Sequence, residues 1–220
     1  MTPPSYTPLS FDEVAAFPGL DDWRLITAQL RANFRAGSFQ QATALAAAIA
    51  AAADAVDHHP ELDIRYPDQV IVTLTTHHTD GITTADVTLA QQISQLAATA
   101  GARAEFSALQ QVEIAIDTLD ASRIRPFWAA VLGYRETGGM LVDPARIGPP
   151  MWFQTMTAPR TERQRFHIDV SVPHEQAAAR IAAALAAGGR MVNDRYARSW
   201  WVLADADGNE ACICTWQDRD

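Results

Sequence analysis

The chain is poor in cysteine, in basic excess and in long apolar runs, and each shortage narrows its class. Only two cysteines occur in 220 residues, Cys212 and Cys214. On one strand they would lie ~6.6 Å apart on the same face, near the limit for a bridge. A reducing cytoplasm is therefore the natural compartment. A formal net charge of −9 argues against a nucleic-acid partner, because phosphate binding needs clustered Lys and Arg. Met1 to Ser10 shows no basic stretch followed by an apolar one, so no secretory signal is read. The most apolar run, Ala42 to Val56, is mostly alanine, includes Asp54 and is too short to span a bilayer. No membrane association is expected, and that run reads as a buried helix. What remains is an ordinary globular composition, 48% hydrophobic and 20% charged, long enough for one large domain or two small ones.

The residues divide into a run of elements and then a restart. Ser10-Phe11-Asp12-Glu13 reads as a capping box opening a short helix that Pro18 and Gly19 end. Trp23–Ala28 and Gln29–Ala36 read as short strands. Ser38 caps a helix to about Asp57, with Phe39, Leu45, Ile49 and Val56 as its buried stripe. Pro60 cannot continue that helix. Leu62–Tyr66 and Val70–Thr76 read as strands. After an Asp80-Gly81 turn, Thr83 caps a helix to about Ala100, which Gly101 ends. The order is α-β-β-α-β-β-α. Past a connector the pattern becomes strand Val112–Asp117, helix Ser122–Leu132 and strands near Met140–Val142 and Met151–Thr155. It then repeats as strand Phe166–Val172, helix Glu175–Ala187, closed by Gly188-Gly189, and strands Trp200–Ala204 and Glu210–Trp216. Two similar blocks in tandem suggest an internal structural repeat. The fold class is thus α+β, with domains over 1–101 and 111–220 and a linker over 102–110.

Four of the six histidines fall in one short stretch, as His58-His59-Pro60 and His77-His78, with Asp54 before and Asp86 after. Imidazole titrates nearest neutral pH, so such a cluster with carboxylates points to proton transfer or to metal binding. Adjacent histidines on an extended segment face opposite ways, which makes four converging ligands awkward, and no i, i+4 histidine pairing or nearby cysteine supports zinc. Asp54 lies one helical turn before His58, so the two can share a face and the carboxylate would favour a protonated imidazole. Asp86 stands three residues after Thr83, which is also a capping-box position. His78 reads as a solvated strand end.

The stretch Asp54-x-x-x-His58-His59-Pro60-x5-Tyr66, followed by Thr76-His77-x8-Asp86, resembles the pterin-4a-carbinolamine dehydratases, or 4a-hydroxytetrahydrobiopterin dehydratases. The likeness extends to Trp23, Phe34, Phe39, Gly81-Ile82-Thr83 and Leu89-Ala90, over roughly residues 8 to 100. It implies a hydro-lyase that expels the 4a-hydroxyl of a tetrahydropterin and gives the quinonoid dihydropterin. Such chemistry needs an acid for the departing hydroxyl and a base for the neighbouring nitrogen's proton, a contribution of ~10²–10⁴-fold. By resemblance His58 and His77 are the acid–base pair, His59 contacts substrate or shapes the pocket, and Asp86 orients His77 or binds the pterin. Asp54 supports His58, while Pro60, Tyr66 and Trp23 line the substrate site or the core. No metal or cofactor is required, the pterin being the substrate, and a homodimer fits the likeness. Ten residues separate Tyr66 from His77 where nine are usual, which implies a bulge or a shifted strand start.

Residues 112 to 216 resemble the glyoxalase/bleomycin-resistance group, the vicinal oxygen chelate superfamily. The residues that carry this are Phe127-Trp128-x-x-Val131-Leu132-Gly133-Tyr134, Trp152-Phe153-Gln154, Arg165-Phe166-His167-Ile168-Asp169 and Asp205-x-Asp207-Gly208-Asn209-Glu210. The resemblance implies tandem βαβββ units. Metal-dependent members hold their ion from the first, fourth, fifth and eighth strands, which here offer Glu113 or a neighbour, Gln154, His167 and Cys212. Only His167 is an ordinary ligand in that set, and Cys212 stands where glutamate is expected. The half therefore reads as a small-ligand-binding or non-catalytic module, with a metal-dependent glyoxalase or dioxygenase as the competing reading. For the whole chain, a small-molecule-binding regulatory protein competes with the dehydratase.

Overall fold

In the computed structural model the described residues are 6–79, 81–122, 125, 134–158, 166–186, 189–204 and 210–219. Two compact units result, Met1–Leu109 with Trp216–Asp220, and Gln110–Thr215.

The first unit runs α1 (Phe11–Ala16), β1 (Arg24–Ile26), β2 (Gln29–Arg35), α2 (Phe39–Val56), β3 (Glu61–Arg65), β4 (Gln69–Leu74), α3 (Thr84–Thr99) and β5 (Arg103–Ala104). Its antiparallel sheet has the order β1-β2-β4-β3, and β5 takes the part of the β2 edge that β1 leaves uncovered. All three helix starts are capped by the residues read from the sequence. Ser10 and Glu13 form the reciprocal capping box, Ser38 Oγ accepts from the Gln41 N–H at 3.1 Å, and Thr83 with Asp86 forms a second box.

Strand alternation aims Val70, Val72 and Leu74 of β4 at the helices, where they meet Leu45 and Ile49 of α2 and Leu89 and Ile93 of α3. Ile49 is fully buried, so its truncation to Ala would cost about 2–5 kcal/mol. Phe39 and Val56, expected on the α2 stripe, are exposed, because they sit in the helix's first and last turns beyond the sheet's reach. At 18 residues α2 is long and apolar enough, by length and composition, to cross a membrane. Its Ala42, Leu45, Ile49 and Ala53 are nevertheless packed in the core of this unit.

Two further expectations are corrected. The stretch read as a linker, 102–110, supplies β5, and its Ala102 and Ala104 pack on the first core. Trp216, expected at the end of the last strand of the second domain, packs instead on the first unit's core. The β3–β4 ladder also runs without a bulge from Glu61↔Thr73 to Arg65↔Gln69.

The second unit runs β6 (Gln111–Thr118), β7 (Arg135–Thr137), β8 (Met140–Val142), β9 (Met151–Thr155), β10 (Phe166–Ser171), α4 (His174–Ala186), β11 (Arg190–Asn193), β12 (Trp200–Ala204) and β13 (Glu210–Cys214). Its sheet order is β11-β12-β13-β10-β6-β9-β8-β7. β6 and β10 pair antiparallel at the centre, and each has the fourth strand of its own block parallel beside it. The two halves thus repeat one arrangement of four strands among the described residues. Most of the helix expected at Ser122–Leu132 lies outside the described residues, as do the Phe127-Trp128, Arg165 and Asp205–Asn209 parts of the motifs above.

Candidate functional site

The candidate site of the first unit is assembled where α2 ends, where β4 ends and where α3 begins. α2 stops at Asp57, which adopts a left-handed φ of 51°, and the His58 N–H caps back on the Ala53 carbonyl at 3.2 Å. That reversal carries His58 off the helix surface and inward. Its Nε2 lies 2.8 Å from Oδ1 of Asp86, and both residues are buried. Asp86 Oδ2 accepts from Thr76 Oγ1 at 2.7 Å, from the Thr83 N–H at 2.8 Å and from Thr83 Oγ1 at 3.2 Å. Asp86 therefore does two jobs at once. It closes the α3 capping box, as its spacing predicts, and it grips His58, 28 positions earlier in the chain.

Burial works against the Asp86 charge. The hydrogen bonds from His58, Thr76 and the Thr83 N–H, with the His58 charge, outweigh it and hold the carboxyl below its ordinary value. An ionised carboxylate only accepts, so Nε2 of His58 carries the proton in this contact. Nδ1 has no protein partner among the described residues.

The expected partnerships are exchanged. Asp54, expected beside His58, pairs with His59 Nε2 at 3.0 Å, both side chains exposed. Asp86, expected to orient His77, holds His58 instead. His77 follows Thr76 in an exposed turn, one peptide unit from the hydroxyl that bonds Asp86. His78 is exposed, with its ring edge-on to Tyr6 at 4.6 Å. Pro60 joins His59 to β3 and is half-buried.

Two residues leave the substrate list. Tyr66 is 90% exposed in the β3–β4 turn, and five strand residues put that turn ~16 Å from the histidine end of the hairpin. Trp23 is buried, with Nε1 donating to the Ala90 carbonyl and to Ser94 Oγ, each at 3.1 Å, which ties β1 to α3 as core. Thr76 was quoted in the motif but given no role, and the structure sets its hydroxyl on Asp86. A lone hydroxyl at a strand end carries no signal in linear spacing.

In the second unit His167, Asp169 and Cys212 bring donor atoms within 4.8 Å of one another. Of the other positions the resemblance offered, Glu113 lies across the ladder from Asp169, and Gln154 is exposed.

Comparison with known proteins follows the same division. The family model described as pterin 4 alpha carbinolamine dehydratase matches residues 7–96, and a glyoxalase-like domain model matches 113–214. A Nocardia farcinica protein named "Putative pterin-4-alpha-carbinolamine dehydratase" is 40% identical over 90 residues, 40% of this chain and 94% of that protein. A Metallosphaera sedula protein of the same name is 37% identical over 89 residues, 40% of this chain and 92% of that protein. Among solved structures, a transcriptional coactivator/pterin dehydratase from Brucella melitensis is 30% identical. It covers 41% of this chain and 99% of its own, with a TM-score of 0.39. Through its first unit, to which a glyoxalase-like domain is joined, the chain belongs to the pterin 4 alpha carbinolamine dehydratase family.

Proposed function

We propose that the first unit dehydrates a 4a-hydroxytetrahydropterin to the quinonoid dihydropterin by histidine acid–base catalysis, in the cytoplasm and without a cofactor. The observation that carries this is the buried His58–Asp86 pair. With Nε2–H fixed on a carboxylate, Nδ1 is the nitrogen left to deliver the imidazolium's proton. That proton goes to the departing 4a-hydroxyl as the carbon–oxygen bond breaks and water leaves. The lone pair of the neighbouring ring nitrogen becomes the new double bond to carbon 4a. The proton on that nitrogen then passes to a second base, the role we assign to His77, and exchange with solvent resets both imidazoles.

Asp86 gives His58 one tautomer and one orientation, which is what a general acid needs. To His59, paired with Asp54 and exposed, we assign contact with the pterin edge.

Stopped-flow mixing of the full chain with synthetic carbinolamine tests this reading. Wild type should accelerate dehydration over the spontaneous reaction, and His58→Ala should lose ~10²–10⁴-fold of turnover. Equal rates for wild type, His58→Ala and buffer would overturn it.

A further inference from the structure

The sheet of the second unit has two unlike faces. Period-two alternation sends Ile114, Ile116, Val170, Leu203 and Ile213 to one face, where they build the apolar clusters. The other face receives Glu113, Asp117, His167, Asp169 and Cys212. The β10–β13 ladder sets Asp169 opposite Cys212, and His167 stands two residues from Asp169 on the same side.

The geometry points to a divalent-cation site held by His167, Asp169 and Cys212, a nitrogen–oxygen–sulfur set that suits zinc. Three features of this chain support it, independently of the dehydratase reading.

The first is an orphan. Asp169 is only 8% exposed, and its Oδ1 is buried with no hydrogen-bond partner. A buried carboxylate oxygen without a donor is costly, and a cation is the ligand that relieves it.

The second is the way the imidazole is held. Nε2 of His167 faces Asp169 Oδ1 at 3.5 Å, while Nδ1 faces Oδ1 of the buried Asp117 at 3.6 Å. This is the arrangement in which one ring nitrogen ligates an ion and the other is steadied by an outer carboxylate. The ring is further confined by Trp152, edge-on at 5.6 Å.

The third is charge and size. One carboxylate and one thiolate neutralise a divalent ion, as suits a buried position. Zinc bonds of ~2.0 Å to nitrogen and oxygen and ~2.3 Å to sulfur need donors about 3.3–3.8 Å apart. Donors now within 4.8 Å must close by roughly 1 Å, within reach of small side-chain rotations. Without the ion, the Cys212 thiol lies within 4.8 Å of the Asp169 carboxylate. On binding, the S–H bond breaks, its proton leaves to solvent and the sulfur lone pair bonds the metal.

The resemblance supplied only part of this set. Asp169 is not among the positions it marks, and Gln154, which is, stays exposed. The carboxylate therefore comes from the same strand as the histidine, and the thiol replaces the usual glutamate. Three protein donors leave the fourth tetrahedral position to water or to an oxygen of a small ligand.

Cobalt is the probe, because its spectrum reports the sulfur bond directly. Chelator-stripped full-length protein should bind one equivalent of Co²⁺, with a near-ultraviolet thiolate-to-cobalt charge-transfer band that Zn²⁺ abolishes. Cys212→Ser should lose the band, and Cys214→Ser, two residues along the same strand, should keep it. Asp117→Asn should keep the band but weaken Co²⁺ binding ~10–100-fold, which tests the site even if Cys212→Ser does not fold. No charge-transfer band in wild type, or a band that survives Cys212→Ser, or an unchanged cobalt affinity in Asp117→Asn, would overturn the proposal.

Discussion

Replacing Asp86 with Asn preserves shape while turning one oxygen into an amide NH₂, and the surroundings dictate the consequence. One side of the group faces the Thr83 N–H at 2.8 Å, a donor that cannot become an acceptor. The other faces Nε2 of His58 at 2.8 Å, and an imidazole can exchange tautomers. The amide should therefore keep its oxygen on Thr83 and turn its NH₂ toward His58. That forces the neutral histidine to accept at Nε2 and to carry its proton on Nδ1.

The fold should survive with the loss of a charge-assisted hydrogen bond and of the favourable carboxylate at the α3 N-terminus. Together these come to about 2–3 kcal/mol. At about 1.4 kcal/mol per decade, amides of the first turns of α3 should exchange with deuterium roughly 30–150-fold faster. Turnover should fall further than stability does, by on the order of 10²–10⁴-fold, since an amide NH₂ facing Nε2 disfavours the imidazolium that delivers the Nδ1 proton. Hydrogen-exchange mass spectrometry and stopped-flow dehydration on the same full-length preparation measure both quantities. Unchanged α3 exchange with turnover within a factor of about three of wild type would refute the reasoning.

His77→Ala should reduce turnover by on the order of 10²-fold with no change in thermal unfolding, because the side chain is exposed in a turn. Tyr66→Ala should leave turnover within about twofold of wild type by steady-state assay, since it stands at the far end of the β3–β4 hairpin; a larger loss would return it to the site. Trp23→Phe removes the two Nε1 hydrogen bonds and should cost about 1–2 kcal/mol in urea unfolding without altering turnover. Asp86 has a folded pKa below its unfolded value of about 3.9. Its stabilisation is therefore complete above that value and lost as pH falls through the lowered folded one. The acid limb of a stability–pH profile should accordingly be shallower in Asp86→Asn than in wild type.

The caps and the element order were legible because their causes are local. Ser10, Ser38 and Thr83 each satisfy helix N–H groups within three residues, and β4 is rich in β-branched residues. The histidine cluster was legible as a motif, but its pairings were not. Asp54 was assigned to His58 on helical spacing, and that spacing ceases to apply once Asp57 turns left-handed. The true partner, Asp86, is brought in by tertiary packing of α2 and α3, which no linear interval encodes. β7 and β11 were missed for a different reason. They are short strands at the ends of the sheet order, β7 is exposed throughout and β11 nearly so, and neither shows an alternation of apolar and polar residues to betray it. Asp169 was quoted only as a neighbour of His167, because its orphaned oxygen is a property of burial rather than of sequence.

The account rests on His58 being gripped through Nε2 by an ionised Asp86, so that Nδ1 is the nitrogen that works. Long-range proton–nitrogen correlation NMR of the full chain, with His58 titrated to its neutral form, reads this directly. The neutral ring should carry its proton on Nε2 in wild type and on Nδ1 in Asp86→Asn. A wild-type His58 with its neutral proton on Nδ1, or one indifferent to Asp86→Asn, would contradict it.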